Sequence, residues 1–262
     1  NLAGADLTTA KLDNADLTDA NLTNVNLTKA DLSKANLTGA NLAGANLTGA
    51  RMRTSTLLGA NLTKTNLTGA DLSYGADLSK ANLTGANLTK ANLGRSSLNE
   101  AKLTDADLTK AKLGDTDLTN ADLTKANLTG AYLTKANLTG ADLTKANLTG
   151  ADLVWANLTG ATLTEANLTK AGLTGLDLTG VDLIGVDLTE ANLREANLAG
   201  VNLDGANLSE ADLFNANLTK ANLARVNLNK VNLTETNVTM GQVVEAILCR
   251  TQLPWGEDNS GC

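Results

Sequence analysis

Leucine recurs every fifth residue along nearly the whole chain, and the positions between are small, polar or charged, as in "ANLTGADLTK" from Ala136 to Lys145. The series runs from Leu2 to Leu72 with Met52 standing in once, slips by one residue, and resumes from Leu78 to Leu233 and Val238. That makes 15 repeats before the slip and 33 after it, 48 in all. Five is the wrong period for the two common elements. On an α-helix five residues advance about 500°, so the leucines would spiral around the surface. On a straight strand successive leucines would alternate faces. One core forms if the chain turns a corner after every pentapeptide. Leu then points inward on each side of a coil, and so does the residue two before it, which is nearly always Ala (Ala126, Ala131, Ala136). Asn or Asp before Leu, and Thr after it, point outward.

The slip lies in "DLSYGADL". One residue inserted inside a ladder would turn every later leucine outward, unless it is expelled locally. The intact pattern from Leu78 onward therefore predicts a one-residue bulge at the corner after Leu72. Gly75 supplies the permissive backbone, and Tyr74 lies against the outside of the wall.

The A-(N/D)-L-x-x pattern over residues 1–239 resembles the pentapeptide repeat proteins. The resemblance implies an all-β fold, a right-handed quadrilateral β-helix with four pentapeptides per coil. At a strand spacing of about 4.8 Å, about twelve coils make a rod of roughly 58 Å. Its core would be a stack of Leu and Ala, each buried Leu contributing on the order of 1.5–3 kcal/mol.

The pattern is read as ending at Thr239. In "MGQVVEAILCR", Val243, Val244, Ile247 and Leu248 have helical spacing, which predicts a short α-helical cap over Met240 to Arg250. A cap would bury the last leucine layer and cover backbone edges that invite aggregation. The domain reading is one unit: a β-helix over 1–239, and a helical cap with a closed tail over 240–262. The chain's two cysteines, Cys249 and Cys262, both fall in this tail. Their separation suits a small loop worth about 3 kcal/mol if oxidised. Two free thiols are the alternative, but a long cysteine-free stretch followed by two in the tail favours the bridge. The segment is also similar to the C-terminal caps of cyanobacterial and chloroplast-lumen pentapeptide repeat proteins. That resemblance implies a thylakoid lumen or a periplasm. The chain opens at Asn1 in mid-pattern without Met, so it reads as a processed form or a fragment, and no targeting segment is present in it.

Composition narrows the chemistry. Histidine is absent, so Ser-His-Asp, Cys-His and His-metal arrangements are excluded. The glycines are mostly corner residues, as in "LTGA", and no phosphate-cradling loop appears. Outward carboxylates such as Asp142 and Asp152 read as solvated repeat surface, because a convex rod implies no concave pocket. The expectation is no enzyme, no cofactor and no metal. Net charge is −7, from 28 acidic and 21 basic residues interleaved, which argues against direct nucleic-acid binding. No run of about 18 apolar residues could span a membrane.

Departures from the consensus carry the functional signal. With the slip corrected, the side that runs from Leu12 through Met52, Leu72 and Leu93 to Leu233 collects every aromatic residue before the tail: Tyr74, Tyr132, Trp155 and Phe214. Arg51, Arg53, Val154 and Arg194 join them outside. Exposed aromatics and Arg are enriched at interface hot spots, so the side reads as a protein-contact stripe for an unidentified partner. The leading function is a non-enzymatic scaffold or interaction rod. The alternative implied by the family is a DNA mimic that binds a type II topoisomerase such as gyrase, although Lys29, Lys110, Lys125, Lys135 and Lys145 interrupt the negative surface. Ice binding through the Asn/Thr ladders is a third reading, and association of copies through an uncapped N-terminal coil is the oligomer contact considered.

Overall fold

The computed structural model describes the whole chain, Asn1–Cys262. Each pentapeptide forms one side of a square coil, and twenty residues close a turn. Single parallel β-bridges join outward residues one coil apart: Asp6 to Asn26, Asn26 to Asn46, Asn46 to Asn66. Sides are numbered in chain order from the first coil, whose leucines are Leu2, Leu7, Leu12 and Leu17. Leu7 N–H donates to the Asn26 carbonyl at 2.7 Å, and Asn26 N–H donates back to Ala5 at 2.9 Å. Repeats of this pair stitch coil to coil.

The corners explain why the period is five. Ala10 N–H donates to the Leu7 carbonyl at 3.0 Å and closes a four-residue turn. The third turn residue is left-handed, with φ 57° at Thr9 and 66° at Gly39. Glycine adopts this conformation without strain. Yet Lys125 (φ 58°) and Glu165 (φ 57°) hold it too, each at a cost of about 1 kcal/mol that the surrounding ladder offsets.

Inside, a single cluster of 85 buried residues runs from Leu22 to Leu253. Where Ser or Thr replaces the inward Ala, its hydroxyl finds a main-chain acceptor: Thr65 donates to the Leu42 carbonyl at 2.9 Å and Thr116 to that of Leu93 at 2.8 Å. In the first coil Leu2, Leu7, Leu12 and Leu17 are only partly buried.

The slip is confined to one corner. Tyr74 and Gly75 are both left-handed, with φ 61° and 93°, and Leu72 and Leu78 both stay fully inside. The ladder absorbs the extra residue once, by pairing Thr56 with Asp77 and Asp71 with Asn92.

The end of the rod corrects the expectation of an α-helical cap over Met240 to Arg250. Only a single 3-10 turn forms there, Met240–Gln242, and the five-residue period continues beyond it. Leu233, Val238, Val243, Leu248 and Leu253 are all buried. Ile247 bridges to Asn227 and Gln252 to Asn232, so "AILCR" and "TQLPW" are two further repeats of the β-helix. Helical spacing would have put Val243, Val244, Ile247 and Leu248 on one face. Instead Val243 is 5 % exposed while Val244 is 76 % exposed, the in-out alternation of the repeat. Gln242 carries the chain across the gap, its side-chain amide donating to the carbonyls of Leu218 and Ala221.

The strand of the last repeat, β1 (Thr251–Leu253), pairs antiparallel with β2 (Gly256–Asp258) through the Pro254-Trp255 turn. The tail folds back over the last repeats and covers their open edge. Gly261 N–H donates to the Leu248 carbonyl at 2.6 Å, and the Cys249–Cys262 disulfide fixes the tail beside it. A Cβ on Gly261 would come within 2.8 Å of the Leu248 nitrogen, so only glycine fits this contact.

Candidate functional site

On the second side the outward polar groups satisfy one another. Asn26 Oδ1 accepts from Thr28 N–H at 3.2 Å and from Thr28 Oγ1 at 2.6 Å. Asn46 Nδ2 donates to Thr28 Oγ1 at 3.0 Å, and Asn46 Oδ1 accepts in turn from Thr48 N–H at 3.2 Å. The Asx oxygen thus caps the N–H of the residue after Leu, which the coil-to-coil ladder leaves free. Asp6 on this side and Asp31 on the third, both in this capping role, are held below the ordinary carboxylate value of 3.8. For Asp6 the cause is its hydrogen bonds from Thr8, and for Asp31 chiefly those from Ser33, with Arg51 adding to them.

The third side breaks this regularity. Tyr74 and Trp155 occupy left-handed corner positions at its edge with the fourth side. Tyr132 stands on the flat wall between Lys112 and Asp152, and Phe214 follows Leu213. All four are exposed, Trp155 by 66 % and Tyr132 by 54 %. Three are held over a cation from the preceding coil: Tyr74 by Arg53 at 5.6 Å, Trp155 by Lys135 at 5.3 Å and Phe214 by Arg194 at 4.4 Å. Such contacts contribute about 0.5–1 kcal/mol at exposed sites and limit how the rings move. Arg51, Arg53 and Arg194 also pair with Asp31, Asp71 and Asp212 across adjacent coils. Burial would raise the Asp71 carboxyl, but hydrogen bonds from Ser73 and Arg53 outweigh it and hold the group low. These aromatic and basic residues therefore lie on one side of the rod, and Val154 sits half-buried beside Trp155.

One feature of this side corrects the expectation that the rod has no concavity. Between Tyr74 and Tyr132 lies a notch of about 450 Å³, lined by Asn92, Gly94, Arg95, Lys112, Gly114 and Asp115 as well as the two rings. Its floor is Gly94 and Gly114, one coil apart. They are the only repeat leucine followers that are glycine, in "LGRSS" and "LGDTD", a signal visible in the sequence once the columns are aligned. No group of three or more Cys, Asp or Glu side chains converges as a metal ion requires.

The pentapeptide-repeat family model matches in eight overlapping segments that together cover nearly all of residues 1–248. The chain is a pentapeptide repeat protein. That last matched residue lies beyond the 3-10 turn, in agreement with the repeats seen there. Among solved structures it is similar to HetL, a pentapeptide repeat protein involved in heterocyst differentiation regulation from the cyanobacterium Nostoc sp. Strain PCC 7120. The two are 36% identical, with a TM-score of 0.50, over 78% of this chain and 89% of HetL. Rfr23 from Cyanothece 51142 is 35% identical over 42% of this chain and 85% of its own, with a TM-score of 0.37. A pentapeptide repeat protein of the Arabidopsis thaliana thylakoid lumen is 28% identical over 47% of this chain and 72% of its own, with a TM-score of 0.16. No curated protein sequence matches. Pentapeptide repeat proteins form right-handed β-helices, and no helix in this one is long and apolar enough to cross a membrane.

Proposed function

We propose that this pentapeptide repeat protein is a non-enzymatic interaction rod whose third side docks a protein partner. The observation that carries this reading is the confinement of four exposed aromatics to one side, three of them held over cations. Pre-positioned aromatic and Arg side chains lose little freedom on binding, the property of interface hot spots. The chain has no histidine, and its carboxylates serve the wall, capping N–H groups and pairing across coils.

The gyrase-type alternative needs a continuous acidic surface. Here Lys80, Arg95, Lys145, Lys170 and Lys230 each meet an acidic side chain of an adjacent coil, which supports the protein-contact reading instead. The Cys249–Cys262 disulfide favours an oxidising compartment, a thylakoid lumen or a periplasm.

The test is an affinity capture with the intact rod against Tyr132→Ser/Trp155→Ser. Specific partners held by the intact rod should be lost from the double variant. Equal capture by both removes the stripe from the function.

A further inference from the structure

The notch between Tyr74 and Tyr132 has chemistry that a flat protein contact does not use. It is a shallow depression open to solvent, of about 450 Å³, and its lining residues, not its volume, set it apart from the rest of the wall.

Folding does not require its emptiness. Neither Gly94 nor Gly114 has a left-handed φ. A Cβ at Gly94 would meet its nearest atoms at 3.5 Å and one at Gly114 at 3.6 Å, ordinary contact distances. Thr134 fills the equivalent place in the next coil. The two glycines therefore withhold side chains where the wall has room for them.

The floor also presents free donors. Gly94 N–H is capped by Asn92 Oδ1 at 3.3 Å. One coil on, Lys112 replaces the capping Asn or Asp, and Gly114 N–H has no acceptor in the chain. The Lys112 ammonium forms no ion pair, and Arg95 meets Asp115 only at a loose 3.7 Å. Arg95 and Lys112 against Asp115 give the lining a charge of +1, on a chain of −7. The two tyrosines bound the notch three coils apart, about 14 Å along the axis.

We propose that the notch binds an acidic oligosaccharide, a short run of sugar rings bearing at least one carboxylate. The rings stack on Tyr74 and Tyr132 at either end. The carboxylate takes Gly114 N–H and the Lys112 ammonium, with Arg95 beside them, and hydroxyls meet Asn92 and Asp115. A peptide fits less well. The backbone on this side is engaged in the coil-to-coil ladder, so no strand edge is open for addition, and beyond the two rings the lining offers no apolar pocket for side chains. A ligand rich in hydroxyls matches a lining that is polar between two aromatic ends.

Isothermal titration of the full chain tests this with tri-galacturonic acid as probe, and cellotriose and tetra-aspartate as neutral and peptide comparisons. Saturable one-to-one binding of tri-galacturonate is expected, with cellotriose at least about tenfold weaker, the worth of one charge-assisted contact. Lys112→Ala should weaken tri-galacturonate about tenfold on the same ground. Gly94→Thr/Gly114→Thr should abolish binding with no fall in the unfolding temperature. Any one of four results overturns the proposal: no binding at millimolar probe, undiminished affinity in the filled variant, undiminished affinity in Lys112→Ala, or cellotriose or tetra-aspartate binding as tightly as the acidic sugar. The protein-contact reading is tested separately by capture with Trp155→Ser/Phe214→Ser, two stripe residues outside the notch.

Discussion

The second and third sides of the rod have the same interior and different exteriors. Leu108 and Leu113 are both fully buried in consecutive pentapeptides, and the ladder bonds behind them have the same length, 2.7 Å from each leucine N–H. Outside, every leucine of the second side from Leu7 to Leu208 is preceded by Asn or Asp and followed by Thr or Ser. The third carries aromatics, arginines, two lysines in capping positions (Lys11 and Lys112) and two bare glycines. The fold thus fixes the inward residues and the left-handed corner conformation, and it tolerates a wide range of residues on the wall and at the corners. What departs from consensus outside is therefore where function is to be sought.

The comparison can first be broken from within. Leu108→Ala and Leu113→Ala should each cost about 2–5 kcal/mol, from lost burial and the cavity left behind. Urea unfolding should place the two variants within experimental error of each other. A clear gap between them would mean that the third side is built differently inside as well.

Both sides end under the tail, at Leu248 and Leu253. Removing the disulfide with Cys249→Ser/Cys262→Ser should cost up to about 3 kcal/mol by loop entropy. Because the tail covers only the last repeats, hydrogen exchange should rise at Leu248 and Gly261 and stay unchanged near Leu128. Faster exchange throughout the rod would show that the tail holds the whole solenoid together.

The capping lattice is sharpened by opposite substitutions on the two sides. Asn127 caps Thr129 and reaches Thr109 in the coil before, so Asn127→Ala should cost about 1 kcal/mol. Lys112→Asn supplies the acceptor that Gly114 N–H lacks and should stabilise by about 0.5–1 kcal/mol. Thermal unfolding should move in opposite directions, and movement in the same direction would contradict the capping role.

Acid should act weakly on both sides. The Asp6, Asp31 and Asp71 carboxyls are held below 3.8. A depressed folded value contributes stability that is complete above the unfolded value and lost as pH falls through the folded one. The unfolding temperature should be flat from pH 8 to about 5 and decline below about 4. A decline that begins near pH 6 would point to groups other than these carboxyls.

Much of this was legible in the sequence because the repeat is an inside pattern. The four-sided coil follows from Leu and Ala, and the expelled residue at Tyr74-Gly75 follows from the unbroken leucines after it. The end was misread because Val243, Val244, Ile247 and Leu248 satisfy a helical spacing and a five-residue period at once. Leu248 and Leu253 stand fifteen and twenty residues beyond Leu233, and that phase prevailed because each new repeat found a ladder already in place. The notch was missed for a different reason. Glycine is common at the corners, so Gly94 and Gly114 stand out only by their place directly after Leu, where the backbone has no need of glycine.

The central claim, that the third side's exterior serves recognition and not folding, is tested most directly by rewriting it. A chain with Tyr132→Asn, Val154→Thr, Trp155→Gly and Phe214→Thr carries consensus residues on that wall and keeps every inward side chain. Its unfolding temperature and its partner capture should be measured beside those of a second-side variant, Asn127→Asp/Asn147→Asp. The account predicts that the third-side variant unfolds no lower than the parent and loses its partners, while the second-side variant keeps them. A third-side variant that unfolds well below the parent, or that captures the same partners, would contradict it.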